Sequence, residues 1–298
     1  MTQRILVTGG TGFLGSSLCS QLVSRGYQLV LLRRSSSKLT RLSKILDRVN
    51  FFELDQSPLE SVFHLFGPID AIVHCATDYG RKSVDVAQMV EANLMLPLRL
   101  LQAGLKHGVR VFINSDTYLE KGVNEYSLSK KQLLDWLQVY SDRLSCRNMR
   151  LEHFYGPGDD PTKFVSWLIE QFRQGVAEIP LTPGRQKRDF IYIDDVVEAY
   201  RLVLEHALMG SKGYVQYDVG SGVSIELREL VERIRKLFPG VSTEPKFGAI
   251  PYRPNEVMAS KIDIRPLAEL GWELRTSLED GLSKTIAWQD GLVGGDER

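Results

Sequence analysis

The chain is poor in cysteine, with only Cys19, Cys75 and Cys146 in 298 residues. No two stand at metal-ligand spacing, and an odd number argues against a disulfide framework, so reduced thiols in or near a core are expected. Neither sign of charge is in excess, since Lys+Arg and Asp+Glu both number 37. That balance excludes a broadly basic nucleic-acid binder and leaves open a local basic site for a small anion. No apolar run approaches the ~18–20 residues needed to span a bilayer. The N-terminus reads as strand (Arg4-Ile5-Leu6-Val7) rather than as a signal peptide, so a cytoplasmic protein is expected. The histidines, His64, His74, His107, His153 and His206, include no zinc-like pair, and no metal is expected.

The chain does contain a regular alternation. Short apolar runs at 5–7, 28–32, 51–54, 71–74, 111–114, 148–151 and 215–219 are interleaved with helical spacing at 16–25, 83–107 and 128–140. Strands alternating with helices predict an α/β fold, a Rossmann-type doubly wound parallel sheet covered on both faces. After Tyr155 the alternation breaks at Gly156-Pro157-Gly158 and Pro161, and further prolines punctuate the C-terminal part of the chain. A dinucleotide domain over 1–155 and 186–222 is expected, with a smaller substrate lobe over 156–185 and 223–298.

The first apolar run leads into Thr8-Gly9-Gly10-Thr11-Gly12-Phe13-Leu14-Gly15. Glycines at 9, 12 and 15 stand where a strand turns into a helix. A tight turn, a close backbone approach to a diphosphate and close helix packing each require a missing side chain. The helix N-terminus then presents free N–H groups to the anion. A P-loop needs a Lys-Ser/Thr ending that is missing here. NAD(P) binding is therefore expected.

The second run ends Leu31-Leu32-Arg33-Arg34-Ser35. An acidic residue there would hold the ribose hydroxyls of NAD(H). Instead Arg33, Arg34 and Ser35 suit a 2′-phosphate, favouring NADP(H) over NAD(H). A solvated basic turn is the plainer alternative. Asp55, after the third run, suits an adenine neighbour and has no meaning as an isolated surface aspartate.

Tyr126-Ser127-Leu128-Ser129-Lys130 opens a helical segment, so Tyr126 and Lys130 share a face. A lysine cation favours tyrosinate and makes proton exchange feasible near neutral pH. A hydroxyl at Thr117, at the end of the 111–114 run, is placed to hold a substrate carbonyl. Taken singly, the spacing is common and Thr117 is a turn residue; together they predict a catalytic Thr117/Tyr126/Lys130 set.

The glycine turn, Val73-His74-Cys75-Ala76, the strand-end hydroxyl and the Tyr126/Lys130 pair resemble the extended short-chain dehydrogenase/reductase family, in its nucleotide-sugar branch. The resemblance covers nearly the whole chain. It implies cofactor contacts at Gly9, Gly12, Phe13, Leu14, Gly15, Arg33, Arg34, Ser35, Asp55, Gln56, Cys75, Ala76, Thr77, Asn93, Ser115, Tyr126 and Lys130. In the segment 184–195, Arg188 matches an arginine that contacts a nucleotide-sugar diphosphate, and Arg253 matches a second; surface salt bridges are the alternative. Asp78-Tyr79-Gly80-Arg81, Leu151-Glu152-His153-Phe154-Tyr155-Gly156 and Arg253-Pro254-Asn255-Glu256 resemble more narrowly the CDP-paratose and CDP-abequose synthases. Substrate contacts at Tyr79, Arg81, Thr117, His153, Arg188 and Arg253 are implied. His153 stands where many relatives have asparagine, and a satisfied core histidine is an equal reading. A homodimer formed through 83–107 and 126–140 is also implied.

Thr117 is followed by Tyr118 and Leu119 rather than by the acids of the 4,6-dehydratases, and Asp116 should point to the other side of the strand. The expectation is therefore NADPH-dependent reduction of the 4-keto group of a nucleotide-activated deoxysugar. An NAD-dependent 4-epimerase and a non-catalytic NADP(H)-binding sensor or scaffold remain as alternatives.

Overall fold

A computed structural model describes residues 3–80 and 85–293. Along the first half, the elements are β1 (Arg4–Thr8), α1 (Phe13–Ser24), β2 (Gln28–Arg33), β3 (Val49–Glu53), α2 (Ser61–Phe66), β4 (Ala71–His74), α3 (Val86–Val90), α4 (Leu96–Lys106), β5 (Val111–Thr117), α5 (Glu125–Tyr140) and β6 (Ser145–Leu151). The second half holds β7 (His153–Tyr155), α6 (Phe164–Gln174), β8 (Glu178–Leu181), β9 (Lys187–Tyr192), α7 (Ile193–Met209), β10 (Gly213–Val219), β11 (Ser224–Glu226), α8 (Leu227–Lys236), β12 (Glu244–Phe247), α9 (Arg265–Ala268) and α10 (Leu278–Val293).

Seven strands form one sheet in the order β10-β6-β5-β4-β1-β2-β3, and each of the seven apolar runs falls on one of them. β2, β3, β4, β5 and β6 join β1 through parallel pairings. The strands read as apolar runs because both faces are covered. Leu6, Val30, Leu32, Phe52, Ile72 and Phe112 pack with Leu100, Leu101, Leu133 and Leu137 of the helices in one core. The order reverses between β1 and β4, so their carboxyl ends flank the crevice in which such sheets bind ligands. The helical segment read at 83–107 starts outside the described residues and is interrupted by a π-helical turn, Glu91–Met95, between α3 and α4. No helix among the described residues is long and apolar enough to cross a membrane.

The chain divides into two compact units. One holds the chain up to Leu151, Val197–Asp218 and Arg265–Trp272; the other holds Glu152–Val196, Val219–Ile264 and the chain from Glu273. Residues 152–155 and 186–196 therefore group apart from the large sheet, unlike the boundaries expected from the proline and glycine texture. The physical reason is strand pairing. β7 and β9 pair in parallel and β11 joins β9 antiparallel, forming a separate three-stranded sheet.

Candidate active site

The glycine turn leaves β1 with Gly9 at φ +68, a conformation that side chains resist. A Cβ on Gly9 would lie 2.5 Å from the Ala76 nitrogen, and one on Gly15 would lie 2.1 Å from the Gly9 carbonyl oxygen. Gly12 N–H closes the turn by donating to the Gly9 carbonyl at 2.9 Å. Gly12 caps α1 with no side-chain hydrogen bond, and the first turn carries no acid. The half-buried Phe13 and the buried Leu14 begin the helix. An uncapped N-terminus beside a turn stripped of side chains fits a dinucleotide diphosphate.

β2 ends differently from the expectation. Arg33 forms an ion pair with Glu53, and its guanidinium also donates to the Ser35 carbonyl at 3.0 Å. It is therefore engaged by a carboxylate on β3 instead of being free for a phosphate. Arg34 is exposed. Ser35 donates its N–H at 2.9 Å and its hydroxyl at 2.5 Å to Asp55, and these bonds hold that carboxyl below its ordinary range. Asp55 thus fastens the turn after β2. Gln56 is exposed beside it.

The loop after β4 lies against the glycine turn. Cys75 N–H donates to the Thr8 carbonyl at 3.2 Å, and Ala76 N–H donates to the Thr8 hydroxyl at 3.2 Å. Burial pushes the Cys75 thiol up to about 11. Asn93, fully buried in the π-helical turn, accepts from Asp78 N–H at 2.8 Å and donates to the Asp78 carbonyl and to Ser129 Oγ. It ties this loop to α5, in keeping with the frequent place of π-bulges at functional sites. Tyr79 sets its ring 5.2 Å from that of Tyr126. Arg81 lies outside the described residues.

Helix α5 starts at a capping box in which Asn124 Oδ1 accepts from Ser127 N–H at 2.8 Å and Ser127 Oγ accepts from Asn124 N–H at 3.2 Å. This sets Tyr126 in the first turn, half-buried, and Lys130 one turn later, 1% exposed. Lys130 Nζ stands 3.5 Å from Thr77 Oγ1. Burial is the main cause that lowers its pKa to about 8, with Asp116 and Cys75 opposing and Lys131 assisting. Thr117, buried at the end of β5, accepts from Leu119 N–H at 3.2 Å through its hydroxyl. Ser115 accepts from Tyr200 at 2.7 Å, so its oxygen is already held from α7.

Sequence reasoning missed Asp116 and Lys131 as partners. Lys131 Nζ donates at 2.7 Å both to Asp116 Oδ2 and to the Thr117 carbonyl. Asp116 does turn away from the Thr117 hydroxyl, as strand alternation requires, and it meets a lysine there. A second lysine directly after Lys130 was the available signal.

In the second unit, Arg188 pairs with Glu256 at 2.5 Å and donates to the Lys187 carbonyl at 2.7 Å. Burial lowers the pKa of its guanidinium. Arg253 is exposed, and its carbonyl accepts from Glu256 N–H at 3.1 Å, so one short segment carries Arg253 and the carboxylate on Arg188. His153 is exposed rather than a core histidine. Its Nδ1 stands 2.9 Å from Glu152 Oε2, and the other oxygen of that buried carboxylate has no hydrogen-bond partner among the described residues.

A strand-end glycine turn, a buried lysine one helical turn from a tyrosine and a strand-end threonine occur in this one unit. The sequence profile of the NAD dependent epimerase/dehydratase family matches residues 5–220. The chain belongs to that family. Within it, similarity is high to the CDP-abequose synthase of Salmonella muenchen, 32% identical over 97% of this chain and 99% of that protein. The UDP-glucose 4-epimerase of Bacillus subtilis is 26% identical, with 98% of each chain covered. Among solved structures, the UDP-glucose 4-epimerase of Thermotoga maritima with UDP-glucose superposes with a TM-score of 0.84 at 26% identity, covering 98% of this chain and 100% of the other. The family is one of extended short-chain dehydrogenase/reductases that bind NAD(P).

Proposed function

We propose that the protein reduces the 4-keto group of a nucleotide-activated deoxysugar, of the CDP-4-dehydro-dideoxyhexose kind, with NADPH. The observation that carries this reading is Lys130, buried one helical turn from Tyr126 in the unit that holds the glycine turn. Similarity to CDP-abequose synthase supports the sugar class. A bound nicotinamide supplies the hydride. Tyr126 gives its phenolic proton to the oxygen that becomes the alcohol, and Thr117 Oγ1 holds that oxygen. Lys130 favours the tyrosinate left behind and binds the nicotinamide ribose. Tyr79 and His153 contact the sugar, and Arg188 and Arg253 the diphosphate. Arg188 must then exchange Glu256 for a phosphate oxygen, a charge-assisted swap of like geometry. A cytoplasmic location and a homodimer through residues 83–107 and 126–140 complete the reading.

One observation favours a second reading. Arg33 is held by Glu53, which weakens the case for a 2′-phosphate clamp and favours an NAD-dependent 4-epimerase that retains its cofactor. Purified enzyme is to be incubated with NADPH or NADH and a panel of 4-keto-6-deoxy nucleotide sugars, with products identified by NMR. Net reduction is expected, and Tyr126→Phe should lower turnover ~100–10,000-fold while still binding cofactor. Unchanged turnover in that variant overturns the assignment. Interconversion of 4-hydroxy epimers without net NADPH loss supports the epimerase, and cofactor binding with no turnover on any sugar supports a sensor.

A further inference from the structure

Two consecutive lysines of α5 are both buried but differ in their partners. Lys130 Nζ has a neutral hydroxyl at 3.5 Å, whereas Lys131 Nζ has a carboxylate and a backbone carbonyl, each at 2.7 Å. Adjacent helical residues point about 100° apart, so Lys131 reaches the end of β5 while Lys130 keeps the face it shares with Tyr126. Asp116 is fully engaged. Its Oδ1 accepts from Thr117 N–H at 2.7 Å, and its Oδ2 accepts from Lys131 and from Asn148 Nδ2 at 3.0 Å. Asn148 Oδ1 in turn accepts from Asn114 Nδ2 at 2.8 Å, extending the network across β5 and β6. The side chains of the pair are 10% and 0% exposed.

We propose that the Lys131–Asp116 ion pair is the positioning element of the Thr117/Tyr126/Lys130 site. It pins the strand end that presents Thr117 to the helical turns that carry Tyr126 and Lys130, and it neutralises the charge adjacent to Lys130. Each partner is next in sequence to a candidate catalytic residue, Asp116 to Thr117 and Lys131 to Lys130. Buried ion pairs add little net stability over apolar packing, and fixing a register is their best-attested use. There is also an electrostatic consequence. An unpaired ammonium at Lys131 would disfavour the Lys130 cation, and a bare carboxylate at Asp116 would favour it. Asp116 on β5, Cys75 after β4 and Lys131 on α5 act on Lys130 electrostatically, Tyr126 lies one helical turn away on the same face, and buried His74 on β4 is held neutral mainly by desolvation.

This inference rests on the roles proposed for Tyr126 and Lys130, but its test requires no turnover. In full-length protein with isotopically labelled lysine side chains, the Lys130 signal is assigned by its loss in Lys130→Met and titrated by NMR. Lys131→Met should move the Lys130 midpoint up by about one pH unit, and Asp116→Asn should move it down by about one. A midpoint that stays put, or moves the same way in both variants, overturns the proposal. Removing one member of a buried pair can unfold a chain, so the neutral double variant Lys131→Met/Asp116→Asn is followed by amide hydrogen exchange. Protection should fall at least tenfold at residues 116–119 and 125–131 and hold elsewhere in the sheet; unchanged protection there sinks the positioning role. If the wild type turns over none of the sugars, the proposed reaction fails while these two measurements still decide the inference.

Discussion

Arg33 and Glu53 are register partners across β2 and β3, and their side chains form an ion pair. The pairing engages the first of two consecutive arginines and leaves Arg34 as the exposed cation. Arg34→Ala is therefore expected to raise KM for NADPH roughly tenfold, the worth of about one charge-assisted hydrogen bond, with KM for NADH unchanged. Arg33→Ala should mainly lower Tm. Steady-state kinetics with both cofactors decides the matter; equal effects of Arg34→Ala on both would remove the 2′-phosphate contact.

At Gly15 the constraint is contact, because an added Cβ would meet the Gly9 carbonyl at 2.1 Å. Gly15→Ala should abolish measurable NADPH binding by calorimetry and lower Tm. Gly26 is the control. It has φ +87, and nothing among the described residues lies within 4 Å of an added Cβ. Gly26→Ala should cost about 1 kcal/mol of stability and leave cofactor affinity intact.

Lys130 predicts a pH signature. Its pKa is lowered from 10.5 to about 8, so between those values the unfolded chain binds more protons than the native one. Stability from this group accordingly rises with pH across that window, and below it the buried cation opposes folding. Lys130→Met is expected to be more stable than wild type at pH 7 by about 3 kcal/mol, with the gap closing toward pH 10.5. Urea unfolding across pH 7–10 reads this directly. A gap that widens with pH contradicts the burial argument.

The opposite sign holds at Asp189. Burial raises its pKa from 3.8 to about 6, against two backbone N–H groups, Ser221 at 2.6 Å and Gly222 at 2.8 Å, that favour the carboxylate. The native state binds this proton more tightly, so its contribution declines as pH rises through that window. Asp189→Ala should lower stability by about 1–3 kcal/mol through the orphaned N–H groups, and the decline between pH 4 and 6 should flatten. Thermal unfolding of both proteins over that range is the check.

Much of the candidate site was legible because it depends on local geometry. The glycine spacing implies a side-chain-free turn wherever it joins a strand to a helix, and Tyr126 and Lys130 share a face by helical periodicity alone. The seven apolar runs mark the large sheet because strands covered on both faces read as continuous hydrophobicity. The polar start of β6, with Ser145 and Arg147 buried, has no such signature, so the run at 148–151 marks only the end of that strand.

Pairings between distant segments were decided only by the tertiary structure. Nothing near Arg33 in sequence announces Glu53, twenty residues away, because strand register follows from sheet assembly. The grouping of β7, β9 and β11 apart from the main sheet, the grip of Lys131 on Asp116 and the Glu256 carboxylate on Arg188 have the same cause. Backbone preference and periodicity act over a few residues and are written in the chain. Which buried charge meets which partner depends on packing that brings together residues tens of positions apart.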